Sequence, residues 1–497
     1  MKELKHVVIV GGGTAGWIAA NLLAHRLNQA NVTVSLIESP DINTIGVGEG
    51  STPTLKRFFA TLGIADSQWM PQCNATYKLN IRFRDWSPGN GIDEYCHPFT
   101  SQVDTFTKRA FLVNSRTRRL GLDTHTKPED FLINGVLSNQ GKGPTTPENF
   151  PFIIEYGYHF DAMLLANFLS KHAKGQGVVH KQAKVVEVKV DESGDIDSVI
   201  LDSGEPVHAD FFIDASGFRG LLIGQTLNEP FTSFKQNLFN DSAVVMPTPQ
   251  MDSFKPETLA TALSNGWCWK IPLINRNGNG YVYSSDFTDH DSAETELRRH
   301  LGLLDADVEA RKLSMRVGQR ERHWVKNCLA VGLSQGFIEP LEATALHLVQ
   351  ITLESFLTNV KGNYLDDSKQ PEFNHSITHR FERVRDYIVA HYKLNSRHDS
   401  EYWRAGRDIN TISASLAGIL DTWFKKGDLE AEVQRQQIQH HFDAVSWNCL
   451  LSGYGVFPPL AHNQPGKGDL YTEQQVSNFL NRCALNFTSH NENLFFH

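Results

Sequence analysis

The chain has 497 residues, 40% of them hydrophobic, with ordinary glycine and proline content, so it can bury one large core or two and is neither disordered nor repetitive. Its formal net charge is -9 and it carries no run of Lys/Arg, which argues against nucleic acid or an anionic membrane surface as partner. Six scattered cysteines with no CxxC pair read as thiols, and the first apolar stretch, Val7 to Val10, is too short for a signal sequence or a membrane span; a soluble, cytoplasmic protein is expected.

The first predicted elements are a short β-branched strand, His6–Val10, the loop Gly11-Gly12-Gly13-Thr14-Ala15-Gly16, and a helix with apolar spacing from Trp17 to Ala24. This is the G-x-G-x-x-G order of a dinucleotide-binding βαβ unit. Gly11 permits a tight turn, Gly13 lets backbone approach a pyrophosphate, and Gly16 lets helix and strand pack closely. The free N–H groups of the helix N-terminus then face the phosphates. A second strand, Val32–Ile37, ends at Glu38, an acid at the distance expected for a ribose contact. A second glycine-rich loop, Gly46–Pro53, comes too soon after Glu38 for an ordinary NAD-domain crossover. The later strand Asp210–Gly217 ends in D-A-S-G, similar to the second nucleotide-contacting stretch of FAD monooxygenase-like proteins. FAD is therefore expected, with electrons arriving from elsewhere.

Tyr77–Phe83 alternates apolar and polar residues, as a half-buried strand does; Lys78, Asn80 and Arg82 share its polar face, and composition alone reads Lys78 as a solvated strand lysine. The middle is β-rich (Val185–Val190, Ser198–Leu201, Phe211–Ile213, Tyr281–Ser284). In Trp267-Cys-Trp-Lys-Ile-Pro272 the two indoles at i and i+2 fall on one face of an extended segment. Pro340 suits a first helical position, which places Glu342 in the first turn of the helix that follows, where a carboxylate favours the dipole by about 0.3–1 kcal/mol. Phe381–His391 and Thr411–Phe424 have helical patterns. The histidines His375/His379 and His440/His441 lack Cys or carboxylate partners at ligand spacing, so no metal site is expected. The organisation reads as α/β, with a discontinuous FAD module over 1–360 that includes a substrate-side sheet, and a helical cap over 361–497.

The glycine loop and the W-x-W-x-I-P hexapeptide together resemble the flavin-dependent halogenases, the group typified by tryptophan halogenase. That resemblance implies a Rossmann-like, GR2-type, monooxygenase-like FAD fold. It makes Lys78, in Cys73-Asn-Ala-Thr-Tyr-Lys78, the catalytic lysine and Glu342, in Pro340-Leu-Glu-Ala-Thr-Ala345, the catalytic glutamate. Backbone at Thr344 and Ala345 would hold the halide. Ala343 stands where the family has serine and Ala345 where tryptophan halogenases have glycine, which leaves chloride and bromide both open. FAD would be held by Gly11, Gly13, Thr14, Ala15, Gly16, Glu38, Ser39, Ile45, Val47, Gly48, Glu49, Gly50, Val185, Asp214, Leu333 and Leu346. His97, Phe99 and Trp447 would line the substrate pocket.

The implied reaction uses FAD, reduced by a separate flavin reductase, with O₂ to turn halide into hypohalous acid. Lys78 passes the halogen to an electron-rich ring such as an indole, and Glu342 orients the electrophile or takes the ring proton. The W-x-W-x-I-P motif is implied to keep substrate away from the flavin. A flavin-dependent aromatic hydroxylase and a non-catalytic flavin-binding paralogue are the alternatives. The sequence leaves open a free or carrier-bound aromatic, and a monomer or homodimer.

Overall fold

Val7, Val8 and Ile9 are wholly buried, as a β-branched strand covered on both faces must be. Their strand, His6–Val10, lies inside a six-stranded sheet between Phe211–Asp214 and Thr33–Glu38, parallel to both. Cys328–Ala330 and Val179–Gln182 extend the parallel set on either side, and Trp324–Val325 adds an antiparallel edge. The computed structural model describes residues 1–27, 30–41, 48–250, 253–463 and 473–494. This sheet belongs to the first of two units, made of Met1–Ala75, Phe160–Phe234 and Arg316–Glu382. The helices Thr14–Leu27 and Ala162–Gly175 pack against each other in it, tied by the buried Asn21 amide, which donates to the Leu169 carbonyl at 3.0 Å. A Rossmann-like α/β module is what these strands and helices make.

The second unit comprises Thr76–His159, Lys235–Met315 and Arg383–His497. Its core is a seven-stranded sheet in the order 311–314, 242–249, 276–283, 266–272, 257–263, 80–87, 92–98. Only the pairing of Glu257–Leu263 with Asn80–Ser87 is parallel. The short strand Thr76–Lys78 pairs antiparallel with Gly157–His159, setting Lys78 opposite Gly157.

The units divide the chain differently from the expected 1–360 and 361–497, because the last helices pack on the large sheet. The helix Ala444–Gly453 lies so close to strand Ile92–Pro98 that a Cβ on Gly453 would meet the Tyr95 ring at 2.1 Å. The other predicted elements are present: strands at Val185–Val190, Ile196–Leu201 and Arg276–Tyr283, and helices at Ala414–Phe424 and Gln370–Lys393, the last of which starts well before the expected Phe381.

The half-buried strand expected at Tyr77–Phe83 is instead two, Thr76–Lys78 and Asn80–Ser87, and its polar residues Lys78, Asn80 and Arg82 are all buried. Period-2 alternation says which residues share a face, not what other chain covers them.

Trp267 and Trp269 lie on one face as predicted, buried in strand Gly266–Pro272 with ring centroids 6.0 Å apart. The Trp269 indole lies flat over Gly280 of the neighbouring strand, where a Cβ would come within 2.1 Å of the ring. Gly280→Ala is expected to destabilise the fold by about 1–3 kcal/mol through overpacking, read as a lower thermal midpoint; an unchanged midpoint would mean the indole moves aside freely.

Candidate functional site

At the carboxyl ends of the parallel strands of the first unit, three loops converge. Gly11 has φ 120° and its absent Cβ would strike the Ala215 carbonyl oxygen at 2.2 Å; Gly16 is packed 1.9 Å from the Gly11 carbonyl by the same measure. Neither position admits a side chain. Gly13, by contrast, has nothing within 4 Å of a built Cβ, so its backbone is open to a ligand. Thr14 and Ala15 begin the helix behind it, and a Cβ on Gly332 would sit 2.8 Å from the Ala15 methyl, which brings Leu333 to the same loop. A turn closed on both sides and open at its middle glycine fits a pyrophosphate on a helix N-terminus.

The Glu38 carboxylate lies against Gly12 and hydrogen-bonds His180 at 3.0 Å, at the end of its strand. Ser39 follows it, its hydroxyl accepting from the Asp41 amide. Asp214 is fully buried and its carboxylate is occupied: one oxygen accepts from Ser216, the other from the amides of Leu222 and Ile223, each at 2.8 Å. It shapes the D-A-S-G loop through these bonds. Gly48, Glu49 and Gly50 form a short strand, Val185 begins a three-stranded sheet, and Leu346 is buried in the helix Ala345–Leu357. Ile45 and Val47 lie outside the described residues.

Pro340–Glu342 forms a separate 3-10 turn with Pro340 at its start, and Ala343 then adopts φ 55° before the helix Ala345–Leu357 begins. Glu342 is therefore not in the first turn of that helix, so the dipole explanation for it falls away. The left-handed residue is the physical reason: it breaks the helical path between them, at roughly 1–2 kcal/mol for a residue with a Cβ. Glu342 is buried, and so is Thr344, the N-cap residue, whose hydroxyl makes no capping bond and meets no partner among the described residues. Ala345, the first helical residue, is exposed. Amides at a helix start beside an unsatisfied buried hydroxyl are donors suited to a halide.

In the second unit Lys78 is completely buried, its ammonium 5.5 Å from the centre of the Phe99 ring. In the strand that follows, Asn80–Ser87, Arg82 meets Glu257 at 2.9 Å and Glu94 at 3.0 Å, with Glu129 at 3.7 Å. His97 and Trp447 share a neighbour in Tyr387, whose ring centre is 5.8 Å from His97 and 4.8 Å from Trp447. Phe442 stacks on Tyr387 at 3.6 Å. No motif in the sequence marks Tyr387 or Phe442; tertiary packing alone brings them here. Asn80 is marked only as a member of the polar strand face, yet it is buried and neither polar atom of its amide meets a partner among the described residues. Among the described residues no group of His, Cys, Asp and Glu could hold a metal, and all six cysteines are free.

The chain matches the tryptophan halogenase family model over residues 6–466. It belongs to the tryptophan halogenase family. It is 36% identical over 495 residues to the tryptophan 6-halogenase SttH of Streptomyces toxytricini, covering 93% of this chain and 92% of that one. The solved tryptophan halogenase of Shewanella frigidimarina superposes with a TM-score of 0.86 at 30% identity, covering 99% of this chain and 97% of that one. Tar14, a tryptophan C-6 flavin-dependent chlorinase from taromycin biosynthesis, gives 0.82 at 33% identity, with 98% of each chain covered. This protein is thus a flavin-dependent halogenase: it uses reduced FAD and halide, works with a flavin reductase and acts on a small aromatic substrate. None of its described helices is long and apolar enough to cross a membrane.

Glu49 is held in the neutral direction, up to about 7 from 4.5, by burial and then by the Asp161 carboxylate. Between those values the folded protein keeps a proton that the unfolded chain releases, so this group's contribution to stability declines as pH rises through the window. Glu49→Gln is expected to remove that decline. Thermal midpoints between pH 5 and 7.5 should run flatter in the variant; parallel curves would contradict the assignment.

Proposed function

We propose that this halogenase chlorinates the indole ring of a small tryptophan-like substrate, with Lys78 presenting the electrophilic halogen and Glu342 taking the ring proton. One observation carries the reading: a lysine wholly withdrawn from water, its ammonium over an aromatic ring. Burying a cation costs several kcal/mol, and a strand lysine without a task would be at the surface.

Bound FAD, when reduced, supplies with O₂ the two-electron oxidation that turns halide into hypohalous acid. The Gly11–Gly16 loop would hold its pyrophosphate and Glu38 its ribose. Amides at Thr344 and Ala345, with the Thr344 hydroxyl, would hold the chloride. Lys78 donates a charge-assisted hydrogen bond to the oxygen of hypochlorous acid, strong because its surroundings are dry, and leaves the chlorine electrophilic. The ring carbon nearest Lys78 is then attacked, which sets regiochemistry. The Glu342 carboxylate stabilises the cationic ring and accepts its proton.

His97, Tyr387, Phe442 and Trp447 would enclose the indole, since aromatic side chains favour a flat aromatic guest at ring-centre separations of about 4.5–7 Å. Chloride and indole as the pair are supported by the chlorinase and the tryptophan 6-halogenase that this chain resembles.

The test is turnover of purified protein with FAD, NADH, a flavin reductase, chloride and an indole panel, read by the chlorine isotope doublet in mass spectrometry. A chlorinated indole is expected; hydroxylated product without chlorine would contradict the reading. Glu342→Gln should slow chlorination by about 10²–10⁴-fold with the fold retained, and a wild-type rate would remove Glu342 from the chemistry.

A further inference from the structure

We propose that His159 is a positioning residue, which sets the Lys78 strand in place through a one-way chain of hydrogen bonds ending on the W-x-W-x-I-P segment. The inference rests on the role of Lys78 proposed above.

The chain has four members, all in the second unit. The Thr76 hydroxyl donates to the carbonyl oxygen of Pro272, the last residue of the hexapeptide, at 2.7 Å. A hydroxyl has one proton, so toward His159, at 3.2 Å, Thr76 can only accept. Nδ1 of His159 therefore carries the ring proton. Nε2 is then bare, and it accepts from the Thr258 hydroxyl at 2.8 Å. Each donor is used once and each acceptor is filled.

That order requires a neutral imidazole. Burial, and then the neighbouring Lys78 and His490, keep His159 well below its usual value, which secures the neutral form. The Thr76–Lys78 strand is only three residues long, and its ladder partner is the strand bearing His159 itself. Thr76 stands directly opposite His159, and Lys78 opposite Gly157. So short a strand has little hold on its own register. The side-chain chain pins it at Thr76, two residues from the ammonium and on the same face, to the strands 257–263 and 266–272.

Displacement of Lys78 by even an ångström would weaken delivery of halogen to the ring more than binding of the ring. Coupling is therefore the property that His159 controls: the fraction of oxidised chloride that reaches the arene and does not escape.

The experiment compares full-length wild type with His159→Leu, His159→Asn, Thr76→Val and Lys78→Met, each loaded with FAD and supplied with NADH, a flavin reductase, chloride and indole. Chlorinated indole and hypochlorous acid caught by a 1,3-diketone scavenger are measured together, with thermal midpoint and FAD content as controls on folding. His159→Leu and Thr76→Val should lower the ratio of product to scavenged halogen about ten-fold, through kcat and not KM. His159→Asn keeps an N–H near the Nδ1 position and should recover most of the ratio. An unchanged ratio, with both readings falling in step with the folded fraction, would overturn the proposal. Should His159→Leu not fold, Thr76→Val, which keeps the shape of threonine, decides between the two outcomes. Lys78→Met separates the two claims. If it still chlorinates, the Lys78 assignment falls and His159 falls with it; if it is inactive while His159→Leu couples normally, only the role of His159 falls.

Discussion

The second unit keeps two cations out of water, Lys78 at the end of strand Thr76–Lys78 and Arg82 in strand Asn80–Ser87. Lys78 and Arg82 are both buried, and a buried charge must be met by partners or it destabilises the fold by several kcal/mol. Arg82 is met by carboxylates. Glu94, Glu129 and Glu257 surround its guanidinium, and Asn139 accepts from it at 2.6 Å. Burial pushes Glu129 upward, and Lys127 and Arg82 pull it back. Lys78 has different company: the face of Phe99 and the neutral ring of His159. One cation is neutralised and structural. The other lies over an aromatic ring in dry surroundings, where a hydrogen bond from an ammonium is strong.

The first unit answers a different constraint, the close approach of backbone to phosphate. Gly11 and Gly16 are filled by neighbouring carbonyls, and Gly13 is open. Asp214 fixes the next loop with three backbone amides, and Gly332 brings a third loop to Ala15. Glu342 and Thr344 are buried on either side of a left-handed alanine in the same unit. Strain of this kind persists only where the surroundings hold it, and it commonly marks a working turn.

Local signals carry far in this sequence. The glycine loop, the strands that flank it and the paired indoles are all short, local patterns, and each stands where the pattern places it. What local patterns cannot hold is coverage and backbone sign. Composition alone reads Lys78 as solvated, because alternation names a face without saying what lies on it; only the resemblance marks the lysine. Glu342 reads as helical because Pro340 is a good first residue, and nothing about an alanine announces φ 55° at position 343. Tyr387 and Phe442 reach His97 and Trp447 only through tertiary packing. The hydrogen bond from Thr76 to Pro272 joins residues 196 positions apart, beyond the reach of any motif. The C-terminal helices read as a separate cap because nothing local to Gly453 reveals the Tyr95 ring against it.

The measurement that bears most directly on the buried lysine is a Lys78→Met comparison in which reduced-flavin consumption and arene chlorination are followed in the same vessel. The account predicts that cofactor consumption and FAD content stay near wild type while chlorinated indole disappears. Chlorinated indole at a wild-type rate from Lys78→Met would contradict it.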